Sequence, residues 1–205
     1  MKDHIQTFEN SDFTLKMIFI EGGTFDMGGI SWEDNAKPVH PVELSSFWMA
    51  EYPVIQSLWE LVMGKENNPS TFKGLKRPVD RVSWEEINND FFPRLNSLTE
   101  KTRPKNTVFS LPTEAQWEYA AKGGKYCIGR RQENSFVYAG SDKLREVAWH
   151  YQNSHLEKKP VKLKMSNELG LYGMSGNVLE WCNDCYHKYY YKFYKDIGDE
   201  KNPTG

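Results

Sequence analysis

The chain has 205 residues, enough for one sizeable domain with a continuous apolar core. Its formal charge of −2 offers no basic footprint for nucleic acid or an anionic membrane, and 15 Gly with 10 Pro is an ordinary share, which excludes collagenous and low-complexity chains. No apolar run nears the roughly 20 residues of a membrane helix, and residues 1–7 lack the layout of a signal peptide, so we expect a soluble cytoplasmic protein. Three cysteines, Cys127, Cys182 and Cys185, are too few for a disulfide framework. The 11 Phe, 11 Tyr and 7 Trp carry much burial per residue, which suits a fold with little regular structure.

In chain order, residues 14–28 predict two short strands on either side of Gly22-Gly23, a dipeptide that permits a tight hairpin turn. Residues 41–48 predict another strand with Val42, Leu44 and Phe47 facing inward. A helix over 56–63 places Leu58, Leu61 and Val62 on one stripe, and Gly64 ends it. Ile55, at its start, offers no capping side chain, a loss of about 1 kcal/mol unless it packs well. A second helix opens at Ser83, whose hydroxyl and the Glu86 carboxylate form a capping box. Its apolar residues Ile87, Phe91, Leu95 and Leu98 recur every three or four positions, and Pro93 should kink it. A third helix starts at Thr113, boxed by Gln116; Trp117 and Ala121 share a face and Gly123 stops it. Beyond Gly124, residues 125–180 lose all periodicity around isolated aromatics such as Phe136, Tyr138, Trp149 and Tyr151. A stretch of that length needs another ordering agent, and bound cations are one candidate.

Four ordered blocks carry a resemblance. The run from Met17 through Gly22-Gly23 to Gly28 is the first, and Arg77-Pro78-Val79-Asp80-Arg81-Val82-Ser83-Trp84 the second. Leu111-Pro112-Thr113-Glu114-Ala115-Gln116-Trp117-Glu118-Tyr119 follows, then Gly170-Leu171-Tyr172-Gly173-Met174-Ser175-Gly176-Asn177-Val178-Leu179-Glu180-Trp181. Together they resemble the formylglycine-generating-enzyme (sulfatase-modifying factor) family. The resemblance implies an α+β, C-type-lectin-like fold of low regular secondary structure, often calcium-stabilised. It would occupy residues 15–205, with 1–14 as an N-terminal extension. In the enzymes of the family, two cysteines near the C-terminus and a copper ion convert a sulfatase cysteine to formylglycine with dioxygen; relatives use the scaffold for other tasks, including display of variable binding surfaces.

The departures from that pattern set the functional expectation. The family continues past an Asn-Pro-x-Gly turn into an Arg-rich segment bearing the catalytic cysteine pair, whereas this sequence ends at Asn202-Pro203-Thr204-Gly205. No cysteine lies past that turn, so no catalytic residue and no copper ligand carries over. We expect a bacterial-type pseudoenzyme, truncated relative to the enzymes, that binds a peptide, protein or small ligand. The alternative is a copper-dependent oxidase whose catalytic segment lies outside this chain, and a third reading is a structural subunit of an assembly.

Individual candidates follow from donor chemistry. Asn177 and Glu180 offer an amide oxygen and a carboxylate three residues apart, a start on the 6–8 oxygens of a calcium site; the plainer alternative is a turn-holding Asn and a paired Glu. The family's other cation site would use Asn153 and an acidic residue near Lys162 and Lys164, whose ammonium groups repel a dication, so Asn153 is expected to serve its loop. Cys182 and Cys185 form a Cys-x-x-Cys pair outside any thioredoxin-like context, and idle thiols are the plainer reading. Cys127 has no evident partner. His4, His40, His150, His155 and His187 are too scattered for a triad or an iron signature. The Tyr- and Lys-rich run 186–195 could stack bases or sugars, though a Tyr-rich surface loop is the plainer reading.

Overall fold

The computed structural model describes residues 2–29, 34–126, 136–197 and 200–204. Chain order begins with β1 (His4–Phe8) and β2 (Ser11–Ile20), an antiparallel pair joined around Asn10. The expected boundary at residue 15 therefore falls inside β2, and residues 4–8 supply its partner strand. Two-residue alternation along β2 sends Leu15 to one face and Ile18 and Ile20 to the other, all buried.

The Gly22-Gly23 hairpin does not form. β2 pairs with β5 (Phe47–Ala50), while β3 (Gly23–Met27) leaves for a second sheet and pairs with β4 (His40–Leu44). β6 (Glu200–Lys201) adds to β4 in parallel, giving strand orders β1-β2-β5 and β3-β4-β6. Gly22 is the crossing point between them: a Cβ there would lie 2.2 Å from the Leu44 carbonyl oxygen. The single strand expected over 41–48 is likewise two strands in two sheets. Ser45 and Ser46 make the crossing, held as the Ser45 N–H donates to Asn202 Oδ1 and the Gly22 N–H to Ser46 Oγ.

The helices follow local signals more closely. α1 (Gln56–Met63) buries Leu58, Trp59 and Val62, with Leu61 turned outward, and Gly64 ends it at φ 94°. Ile55 compensates for its missing cap by burying its side chain beside α1. The Ser83 capping box is present, opening α2 (Trp84–Glu86). The kink expected at Pro93 is taken up as a single wide π-turn, Ile87–Phe91, leading into α3 (Phe92–Leu98). Pro93 lacks an N–H and its ring would strike the carbonyl four residues back, so the chain widens there and Phe92 donates five residues back, to Ile87. Ile87, Phe91 and Leu95 are buried while Leu98 is exposed. The Thr113–Gln116 box opens α4 (Glu114–Ala121), whose buried face is Ala115, Tyr119 and Ala120 rather than that of Trp117. Two short helices complete the described chain, α5 (Leu144–Val147) and α6 (Tyr190–Ile197).

Two cores result. One joins β2, β3, β4, α4 and Tyr191; the other gathers Phe8, Leu15, α1, the π-turn and Leu95, with Trp59 stacked on Phe91 at 5.0 Å. The irregular region is ordered largely by side-chain amides. Buried Asn167 donates to the Ala120 carbonyl and accepts from the Leu169 and Leu171 N–H groups; Asn153 binds the His150 N–H and the Ala148 carbonyl. Because Gly22 lies against the Leu44 backbone, Gly22→Ala should lower stability by about 1–3 kcal/mol, read as a fall in the urea midpoint at unchanged slope. An unchanged midpoint would mean that the two sheets do not cross this closely.

Candidate functional site

Between the two cores the chain leaves an open cleft of about 480 Å³, within the usual range for ligand pockets. One wall is β5 in full, with Met17 beside it. Opposite lie Val79, Val82, Phe91 and Leu95, and the far side is Trp117, Met174, Leu179, Glu180 and Trp181. The rim is apolar and open to water: Val108 and Trp181 are exposed, and Leu179 is fully so.

The four sequence blocks converge on the frame of this cleft. The Trp181 indole N–H donates to the Val82 carbonyl, and the Trp84 indole N–H to the Cys182 carbonyl, so two reciprocal contacts clamp the last block to the second. The Asn183 N–H donates to the Pro112 carbonyl, and the Glu114 N–H donates to Asp184 Oδ2, placing a carboxylate at the start of α4 where the helix dipole favours it. Tyr119 Oη donates to the Glu21 carbonyl, joining the third block to the first.

Electrostatically the segment after Trp181 is acidic and crowded. Burial raises the Glu114 carboxyl, and the charges of Glu118 and Asp184 add to that against a hydrogen bond from Tyr191 at 3.2 Å. Burial also raises Asp184, and it pushes the Cys182 thiol up to about 12, aided by the charges of Asp184, Glu114 and Glu180. Cys182 and Cys185 are free thiols, the first half-buried and the second exposed. Cys127 lies outside the described residues. A thiol held protonated by burial, with carboxylates beside it, is a poor nucleophile, so Cys182 does not fit the role of a thiolate that copper chemistry of the family requires.

Asn177 and Glu180 are turned to different tasks. Asn177 accepts from the Lys159 N–H at 2.8 Å and donates to the Lys159 carbonyl at 2.9 Å, so its one ligating oxygen already faces a donor. Glu180 is an exposed residue lining the cleft, and protein atoms crowding its carboxyl push it up to about 7. Calcium at this pair would require Asn177 to exchange Lys159 for the ion. Among the described residues no three His, Cys, Asp or Glu side chains converge as metal ligands. At the other candidate position the lysines are engaged: Lys162 pairs with Glu51 at 2.9 Å, and Lys164 donates to the Arg145 carbonyl with its ammonium 4.3 Å from the Trp149 ring.

With this geometry established, comparison with known proteins is decisive for kinship. Residues 3–203 match the Sulfatase-modifying factor enzyme 1-like domain. The chain belongs to the FGE-sulfatase family. It is 34% identical over 219 residues to the chaperone protein LppX of Paenibacillus barcinonensis, covering 86% of this chain and 74% of that protein. Against the formylglycine-generating enzyme of Streptomyces coelicolor it is 40% identical over 128 residues, covering 56% of this chain and 34% of the enzyme. Among solved structures it resembles Treponema denticola variable protein 1 with a TM-score of 0.75 and 28% identity, covering 90% and 77% of the two chains. The α+β architecture expected from the sequence is thus that of the family. Among the described residues no helix is long and apolar enough to cross a membrane.

No local pattern marks this FGE-sulfatase domain's cleft directly; the one signal is Val178-Leu179 beside Trp181, apolar residues with no periodic partner. Two outcomes test the electrostatics. At pH 8, Cys182 should alkylate with iodoacetamide roughly a thousandfold more slowly than an ordinary thiol, read by peptide mass spectrometry; ordinary reactivity would refute the acidic shell around it. Glu180 keeps its proton in the fold up to about pH 7 but releases it near 4.5 when unfolded, so stability falls as pH rises through that window. Glu180→Gln should match the parent's Tm at pH 4 and exceed it at pH 8, a gap that water in the cleft keeps modest.

Proposed function

We infer that this protein is a non-catalytic member of its family that binds a polypeptide segment in the cleft. The observation that carries the reading is an apolar, aromatic-walled cleft of about 480 Å³ whose rim keeps Leu179 and Trp181 in contact with water. Exposed apolar surface of that kind marks an interaction site in a folded chain. The Cys182 thiol is suppressed by burial and, to a lesser degree, by neighbouring carboxylates, which favours binding over covalent catalysis at that residue. A relative bearing the name chaperone agrees with a polypeptide ligand.

Trp48, Trp117 and Trp181 all line the cleft, so occupancy is readable as a change in tryptophan emission. Leu179→Asp places a charge on the rim of the cleft at a side chain that contributes nothing to either core. It should weaken capture of a soluble apolar peptide at least tenfold while leaving the thermal midpoint within about 2 °C. Equal affinity for parent and variant would move the binding surface away from the cleft.

A further inference from the structure

The chain that follows Trp181 runs back over the first core as a strap. Asp184 fastens it to the start of α4, and α6 then seats Tyr191, 4% exposed, among the residues of that core. The Tyr191 ring lies so close to Gly28 that a Cβ there would come within 3.3 Å of it, and it meets the His40 ring edge to face at 4.9 Å. Tyr191 is therefore the anchor of α6.

The charges around its hydroxyl do not balance. Tyr191 Oη donates to Glu114 at 3.2 Å, and Asp184 Oδ2 accepts the Glu114 backbone N–H at 2.7 Å. Glu118 stands one turn further along α4, and Lys122 pairs with it at 2.6 Å while donating to the Asp26 and Gly28 carbonyls. Among the described residues no cation pairs with Glu114 or Asp184. From β4 the His40 ring faces Tyr191, its Nδ1 donating to the Pro38 carbonyl. On the strap itself, Cys182 brings a protonated thiol, and Lys188 and Lys192 turn to the Tyr189 ring instead. Seating Tyr191 thus takes water away from two carboxyls that lack a counter-ion. Burial raises both Glu114 and Asp184; it also raises Tyr191, which stays protonated and can only donate.

We propose that the strap is a proton-linked latch, in which Tyr191 seats α6 more firmly when Glu114 is protonated and lets it lift as Glu114 and Asp184 ionise. With α6 lifted, water reaches Glu114 and its carboxyl returns toward the ordinary 4.5, so the seated form holds more protons than the lifted one. Seating is then fully favoured in acid and weakens as pH rises above that value. The Tyr191 hydrogen bond to the ionised carboxylate offsets part of the loss, which leaves a graded response rather than an abrupt release. A protonated Glu114 still offers its carbonyl oxygen to the phenol, so the bond survives in the tight state. Because the strap leaves directly from the block that carries Trp181 and Asp184, the latch sets how firmly that block is held against α4.

The test is hydrogen exchange read by peptide mass spectrometry at pH 5 and pH 8, corrected for the intrinsic pH dependence of exchange. Protection of the α6 amides is divided by that of the α1 amides, which report the other core and cancel any change in global stability. The α6-to-α1 ratio should be several-fold higher at pH 5. Glu114→Gln keeps an oxygen for Tyr191 without the charge, so its ratio at pH 8 should rise to the parent's value at pH 5 and the response should flatten. A merely structural Glu114 would move both pH values together, and that result would overturn the latch. His40→Asn should leave the response intact; losing it there would make His40 the sensor and overturn the assignment to Glu114. A parent ratio equal at the two pH values would also overturn it. Should Glu114→Gln fail to fold, Asp184→Asn, which retains an acceptor for the Glu114 N–H, must weaken the response for the proposal to stand.

Discussion

Everything in this fold leans on β2 having two apolar faces. Leu15 reaches one core while Ile18 and Ile20 reach the other, so a single strand is the party wall of both. That position forces the chain to leave the sheet at once at either end of the neighbouring strands, because β3 and β4 must cover one side without thickening the wall. The result is the Gly22 crossing, where backbone lies on backbone, and the matching break at Ser45-Ser46. Among the described residues it also leaves β5 paired with β2 alone. The cleft is the geometric consequence: two cores diverge from one wall, and the wall stops at β5 before the space between them is filled.

The clamp that holds the cleft's far side is polar rather than apolar. Two indole N–H groups, from Trp84 and Trp181, donate across to the carbonyls of Cys182 and Val82, and neutral bonds of this type contribute about 1 kcal/mol each. Asp184 fastens the same segment to the first turn of α4. The cost is electrostatic. Burying this segment raises the Cys182 thiol and the Glu114 and Asp184 carboxyls, with the neighbouring carboxylates adding to the shift at Cys182 and Glu114, so the arrangement that positions the segment also suppresses the Cys182 thiolate. Elsewhere in the chain, lysines do work that opposite charge demands. Lys122 donates to the Asp26 and Gly28 carbonyls and pairs with Glu118 at 2.6 Å, tying α4 to the end of β3.

What could be read from the sequence was what is decided within a turn or two of chain. Both capping boxes, the Gly64 stop and the disturbance at Pro93 depend on residues three to five positions apart, and all are where the local pattern placed them. The Gly22-Gly23 dipeptide was misread because a hairpin turn and a sheet crossing ask for the same absence of a side chain. Only the distant Leu44 carbonyl separates the two. Asn177 shows the same limit at the candidate site. Its type promises an amide oxygen, but its partner is Lys159, eighteen residues back, and nothing local reveals that. The four resemblance blocks were legible as a set, and their convergence explains why: they are the residues that hold one another, Trp84 to Cys182, Trp181 to Val82, Tyr119 to Glu21.

An open apolar cleft in a folded chain must be reconciled with stability, since water against Leu179, Trp181 and Val108 forfeits the gain those side chains would bring if buried, roughly 25 cal/mol per Å². The fold tolerates this because neither core depends on the cleft being filled. Trp59, Phe91 and Leu95 are buried by α1 and the π-turn, and Tyr119 and Ala120 by β3 and β4. The unfilled surface is therefore a reserve of burial held outside the folding balance, and a segment that occupies it gains that burial without competing with either core.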